Sequence, residues 1–376
     1  MLGLREFALE RWFARWEFVA RHNLCASDAE PWSLRELLAL ADDDARYRWE
    51  RLALGYTESA GLPALREAIA GLYERVAPAD VHTFAGAEEG IFLAMHAMLG
   101  PGDHVVVATP CYQSLHEVAR AAGARVTEVP FDPRDWSLEV DAVRDAMTSR
   151  TRAIVVNFPH SPTGALAPRE TLDALVAIAE ANGVWLFSDE VYRGLELDPA
   201  ARLPAAADLS PHAVSLGVMS KAYGLAGLRV GWIATRDAAL LRRIAALKDY
   251  TTICNAAPSE VLALIALRAH DRVLARTMAI VRANLKRLDE FFTRHASRFA
   301  WVPPRAGSVA FPRLREGDAT ALAEEAVREA GVLLLPGALF GAEPSHFRVG
   351  YGRADMPHAL DAFEQWLVQS PARRNG

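Results

Sequence analysis

One lysine carries the first chemical signal. In GVMSKAYGLAGLRVGW, residues 217–232, Lys221 follows Ser220 at the end of a β-like run, precedes a glycine-bearing turn, and has Arg229 eight residues on, at the start of the next expected strand. An amine leaving the end of a buried strand is placed for partial desolvation, which lowers its pKa and suits it to imine chemistry. An isolated loop lysine is more commonly a surface residue, so its neighbours decide the reading. FSDEVYRG at 187–194 ends a strand in Asp189, with Tyr192 three residues on. Side chains alternate on a strand, so both can face one ligand only if the chain has turned by Tyr192. Taken alone, an acidic pair at a strand end is a solvated cap. TFAGAEEGIFLAMHAML at 83–99 sets a small-residue turn, Gly86 and Ala87, ahead of Glu88 at the opening of a helix whose Ile91, Met95 and Met98 share a face. Backbone N–H groups at such a start attract an anion, although many helices that begin this way bind nothing.

These residues need strand ends and turns to hold them. Short apolar runs at 104–109, 125–131, 153–158, 184–189, 213–219 and 229–235 alternate with helix-spaced stretches such as Gln113–Ala122, Arg169–Asn182 and Asp237–Leu247. That alternation predicts an α/β fold, a mostly parallel sheet with helices on both faces. From about Arg268 the pattern changes. A long helix over Asp271–His295 leads to a mixed tail with strand candidates near Val309–Phe311 and Phe347–Gly350, a smaller α+β domain. The expected division is an N-terminal segment over 1–45, with Trp12, Trp16 and Trp32, packing on the tail or on a partner subunit, then a large domain over 46–270 and a small one over 271–376.

Ser-Lys followed by Gly-Leu-Arg-Val-Gly resembles the cofactor-lysine segment of the fold-type I pyridoxal phosphate (PLP) enzymes, the aminotransferase class I/II family. The resemblance runs in order from about residue 50 to residue 353. It implies that Lys221 binds the PLP aldehyde, that Asp189 keeps the pyridine nitrogen protonated so that the ring acts as an electron sink, and that Tyr192 donates to the ring's 3-oxygen. NFPHSPTG at 157–164, made rigid by Pro159, Pro162 and Gly164 whatever its function, is similar to the turn beneath the ring. Ser161 stands where relatives usually carry Asn, and its shorter hydroxyl alters that contact. The phosphate falls to the helix start at Gly86, Ala87 and Glu88, to Ser220 and to Arg229, while Val218 replaces a hydroxyl or amide residue of many relatives. Tyr112 in TPCYQS matches the ring that stacks on the pyridine. Tyr56 in GYTESAGLP matches a tyrosine lent across a homodimer interface. Arg348 in FRVGYGR resembles the arginine that binds a substrate α-carboxylate, with Arg353 read as a surface residue.

The resemblance implies transfer of an α-amino group between an amino acid and a 2-oxo acid. A PLP lyase or cyclase shares every quoted residue and stays open, with Ser161 raising it slightly. A non-catalytic PLP-binding regulator would need a DNA-binding unit ahead of the fold, and only about 50 residues precede Tyr56, without a basic recognition helix. GLAGLRVG at 224–231 has the wrong spacing for a dinucleotide fingerprint. Asp28 and Glu30, in LCASDAEPW, fall by resemblance in a segment that borders the substrate, where they would favour a basic or polar side chain; the commoner reading of such residues is solvated loop carboxylates. The chain has 376 residues, is 51% hydrophobic and carries a net charge of −6, which excludes a disordered chain and the basic footprint of a general nucleic-acid binder. Three scattered cysteines, Cys25, Cys111 and Cys254, give no metal-ligand spacing or disulfide framework. Charged residues interrupt the opening segment, and no apolar run is long enough for a membrane span. A cytoplasmic location is expected, with no metal, membrane or nucleic-acid partner.

Overall fold

The computed structural model describes residues 3–369. Seven strands form its main sheet: β1 (Val81–Phe84), β2 (His104–Thr109), β3 (Arg125–Pro130), β4 (Thr151–Asn157), β5 (Trp185–Asp189), β6 (Ala213–Val218) and β7 (Gly231–Ala234), in the order β1-β7-β6-β5-β4-β2-β3. The pairs β3–β2, β2–β4, β4–β5 and β5–β6 are parallel, and β7 runs antiparallel to both β6 and β1. The apolar runs are uninterrupted because both faces of the sheet are covered. Val107, Val155, Phe187 and Leu216 enter one core cluster, while their neighbours Val106, Val156 and Leu186 enter another on the opposite face. Burying each such side chain contributes about 1.5–3 kcal/mol, so strand register is strongly specified.

Parallel strands bring their carboxyl ends to one edge, where the loops gather. Asn157 ends β4, Asp189 ends β5 and Val218 ends β6. Helix α1 (Ala8–Trp16) lies in the N-terminal segment and α2 (Ala87–Met98) follows β1. Helix α3 (Arg169–Asn182) stops at Gly183, whose left-handed φ of 62° closes its last turn. Helix α4 (His270–Arg294) buries Val273, Leu274, Val281, Leu285, Leu288 and Phe292 at helical spacing. Beyond it, β8 (Val309–Ala310), β9 (Leu335–Pro336) and β10 (Phe347–Gly350) make an antiparallel sheet ordered β8-β10-β9.

In this chain the N-terminal segment is strapped to that C-terminal region. His22–Asn23 pair in parallel with Val332–Leu333, Gly350 N donates to Leu24 O at 2.9 Å, and Trp12 Nε1 donates to Leu334 O at 3.1 Å. Asp28 and Arg353, read from sequence as a loop carboxylate and a surface arginine, instead form an ion pair with Nη2–Oδ2 at 2.8 Å. Glu30 Oε2 accepts from Ala354 N at 2.8 Å. Both carboxylates therefore tie the strap down rather than face a substrate. Among the described residues no helix is long and apolar enough to cross a membrane, and no His, Cys, Asp and Glu group could hold a metal ion.

Candidate active site

The edge formed by the ends of β4, β5 and β6 borders a cavity of about 240 Å³. It is lined by Ala87, Glu88, Tyr112, Ser161, Asp189, Tyr192, Ser220, Lys221, Arg229 and Arg348, which the chain order scatters over more than 250 positions. Val218 also lines it. Gly86 contributes space rather than surface, and Tyr56 lies elsewhere, 90% exposed.

Asp189 is buried at the end of β5. Its Oδ1 accepts from Val191 N at 3.2 Å, while burial pushes its carboxyl up to about 7, against a smaller opposing pull from Lys221. The turn after Asp189 brings Tyr192 back over the same cavity, as the strand-end geometry requires, and Tyr192 OH donates to Ser27 O at 3.3 Å. Asn157, which the motif reading passed over, joins the two loops. Its Nδ2 donates to Asp189 O at 2.8 Å and its Oδ1 accepts from Ser161 N at 2.7 Å. The proline-rich turn is thereby fixed to the strand that carries Asp189.

Lys221 leaves β6 through Met219 and Ser220, and its Nζ donates to Ser27 Oγ at 2.7 Å. Sequence placed Arg229 at the start of a strand. In the structure β7 begins two residues later, and Arg229 sits in a turn with a left-handed φ of 51°. That unusual backbone aims the guanidinium at the opening of α2. A Cβ on Gly86, itself at φ +94°, would stand 2.6 Å from Arg229 Nη2, and one on Gly231 would stand 2.7 Å from Ala87 N. Glycine at both places lets an arginine fork and a helix N-terminus converge on one point, an anion cradle built from two independent elements.

Glu88 hydrogen-bonds Ser114 and lies beside Tyr112; burial raises its carboxyl, and the phenol of Tyr112 is raised by burial as well. Arg348, 3% exposed on β10, donates through Nε and Nη2 to Cys25 O at 3.2 and 2.8 Å. From the strap, Leu9, Glu10 and Phe13 of α1 and Ser27 complete the lining. Gln113 clamps α1 in place, accepting from Ala8 N at 3.0 Å and donating to Glu6 O at 2.9 Å. None of these four lining residues was singled out from the sequence. Their signal was the tryptophan-rich segment outside the alternating pattern and, for Ser27, the stretch LCASDAEPW that borders the substrate by resemblance.

An amine, a buried carboxyl in reach of the same cavity, and an anion cradle at its rim fit the aldehyde, ring nitrogen and phosphate of PLP. Fold and site together define a PLP-dependent enzyme of the fold-type I architecture. The chain belongs to the aminotransferase class I and II family, whose model matches residues 38–363. Capreomycidine synthase from Streptomyces vinaceus is 33% identical over 379 residues, covering 98% of this chain and 95% of that protein. A probable aspartate/prephenate aminotransferase from Thermus aquaticus is 32% identical over 325 residues, 83% of each chain. The crystal structure of the PLP-dependent cyclase OrfR superposes with a TM-score of 0.88 at 30% identity over 97% of each chain.

Proposed function

We propose that this enzyme transfers the α-amino group of an amino acid to a 2-oxo acid. The observation that carries the reading is the convergence of Lys221, the buried Asp189 and the Arg348 fork on one cavity. PLP, when bound, supplies an aldehyde for imine formation with an amine and a ring that draws electron density from the substrate Cα. Lys221 Nζ would take up the proton of the substrate Cα and later give it back, one flexible amine serving as base and then acid. Asp189 holds the proton on the pyridine nitrogen. Its carboxyl is costly to ionise alone in this buried place, and a cation opposite it relieves that cost. Tyr192 would turn its one O–H from Ser27 O to the 3-oxygen, with Ser161 beside it, and Tyr112 would cover the ring. Arg229, Ser220 and the N–H groups of Ala87 and Glu88 would hold the phosphate. Arg348 has its guanidinium plane fixed through Nε and Nη2 on Cys25 O, which leaves Nη1 for the substrate carboxylate and sets the Cα–H bond toward Lys221. Tyr56 of a second copy adds a phosphate contact, so the working unit is a homodimer with shared sites.

A second reading, elimination or cyclisation at the β or γ carbon, is favoured by two observations. The match to capreomycidine synthase takes in nearly the whole chain, strap included, and a solved cyclase shares the architecture. One experiment separates the readings. The holoenzyme is given a panel of amino acids and its visible absorbance followed, then a 2-oxo acid is added. Transamination bleaches the band with the true donor and restores it with the acceptor, while the donor carbon skeleton leaves as a 2-oxo acid. Turnover without any acceptor, releasing ammonia, a β-substituent or a cyclic amino acid, replaces this reading with the second.

A further inference from the structure

The strap delivers one polar side chain to the reacting amine. Ser27 Oγ lies 2.7 Å from Lys221 Nζ, a contact between residues 194 positions apart. A serine in a loop usually bonds its own turn, yet here the backbone of Ser27 is held by others and the hydroxyl is free to act outward. Ser27 O accepts from Ser308 Oγ at 2.8 Å, a bond that stays in place when the Tyr192 hydroxyl turns to the cofactor. Two residues earlier Cys25 O takes the Arg348 fork, and one residue later Asp28 takes Arg353. Ser27 is thus positioned from both sides, lines the cavity, and points at the amine.

We propose that Ser27 is a further catalytic residue, whose Oγ holds the free Lys221 amine on the substrate side of the cavity by accepting one of its N–H groups. The inference rests on Lys221 being the acid–base amine of the proposed reaction. With one N–H committed to Ser27, rotation about the Cε–Nζ bond is restricted and the nitrogen lone pair stays directed at Cα. In the transfer step the Cα–H bond breaks and its electron pair remains on the carbon side, drawn toward the ring. The proton forms a third N–H bond on Nζ. The resulting ammonium still donates to Ser27 Oγ, a charge-assisted bond stronger than the neutral one, so the contact favours the product of abstraction. Delivery of that proton to carbon returns the neutral amine. Because Arg348 grips the same strap at Cys25, the group that holds the substrate carboxylate also fixes the residue that aims the base.

The test uses the holoenzymes of wild type, Ser27→Ala, Ser27→Thr and Lys221→Ala. Exchange of the amino-acid α-hydrogen with deuterated water is followed by NMR, a readout common to amino transfer and elimination. Ser27→Ala is expected to slow exchange about tenfold, the weight of one hydrogen bond to the reacting nitrogen. Spectroscopic affinity for the amino acid stays within about threefold of wild type, and Ser27→Thr recovers most of the rate. The acidic limb of the exchange pH profile, which reports the free amine, moves down in Ser27→Ala, since an acceptor for the ammonium is gone, and returns in Ser27→Thr. Exchange unchanged in Ser27→Ala but lost in Lys221→Ala overturns this inference alone. A slowed Ser27→Ala with an unmoved acidic limb also overturns it, as that is the mark of a packing defect. Exchange that persists in Lys221→Ala removes the parent reading, and this one with it.

Discussion

Asp189 shows what a buried carboxyl costs and what repays it. Its native carboxyl is raised to about 7 by burial, well above the ordinary 3.8, so the folded cofactor-free protein binds this proton more tightly than the unfolded chain. The stability it contributes is complete below about pH 4 and is lost as pH rises through about 7. Thermal melts of the cofactor-free protein should therefore show a falling midpoint between those values. Asp189→Asn should flatten part of the fall; the raised carboxyls of Glu17, Glu88, Glu190 and Glu260 contribute to the remainder. The same variant should lose at least about a hundredfold in turnover, because an amide cannot hold a pyridinium proton. A pH-independent difference between the two melting curves would separate Asp189 from this role. Lys221→Ala removes both the covalent anchor and the base, and turnover should drop at least about a thousandfold in steady-state assay. Lys221, Asp189 and Arg348 were readable as candidates because each stands in a segment that resembles the family's, Asp189 ending β5, Arg348 within β10 and Lys221 three residues past the end of β6. Ser27 was not legible. Its meaning depends on a contact across the fold, and its segment has no period from which direction follows.

The elements differ in the same way. The parallel strands were readable as apolar runs because burial on both faces leaves no polar alternation, and α3 matches the predicted Arg169–Asn182 in both bounds. The strap was not readable, since its strand at His22–Asn23 is two residues long and its partner lies more than 300 positions away. Arg229 was assigned to a strand because RVGWIAT is β-rich, but the left-handed turn there is set by its docking over Gly86, which only the assembled sheet reveals. That docking gives a prediction about β7 and α2 as a unit. Gly231 has no room for a methyl group because the nearest atoms, Ala87 N and the Gly86 carbonyl carbon, both at 2.7 Å, are backbone and cannot swing aside. Gly231→Ala should push α2 away from β7, destabilise the fold by about 1–3 kcal/mol, and weaken PLP binding beyond what the lost stability explains. Urea denaturation measures the first, and titration of the cofactor-free protein with PLP measures the second. An affinity that stays at the wild-type level would detach the helix start from the phosphate.

Tyr56 makes sense only at the scale of the whole molecule. It stands 90% exposed, with Leu54 at 86% and Tyr250 at 91%, on two loops that Thr57 Oγ1 joins by donating to Asn255 O at 3.1 Å. In the proposed homodimer, a phenol so far out of its own cavity would reach a cofactor only in a second copy, in a twofold arrangement where each subunit completes its partner's site. Complementation tests this directly. Tyr56→Ala and Lys221→Ala are each expected to be weakly active as pure species. In a mixed dimer, one site inherits both lesions and the other inherits neither, because Lys221 and the Tyr56 serving it come from different chains. Random reassortment of the two variants should then restore about a quarter of wild-type activity, half of the dimers being mixed and each of these having one intact site. If Tyr56 acted on its own chain's cofactor, every site in the mixture would carry a lesion and no activity would return. Sedimentation of the mixture supplies the control, since a monomeric species would make the exchange of subunits meaningless and remove the shared site with it.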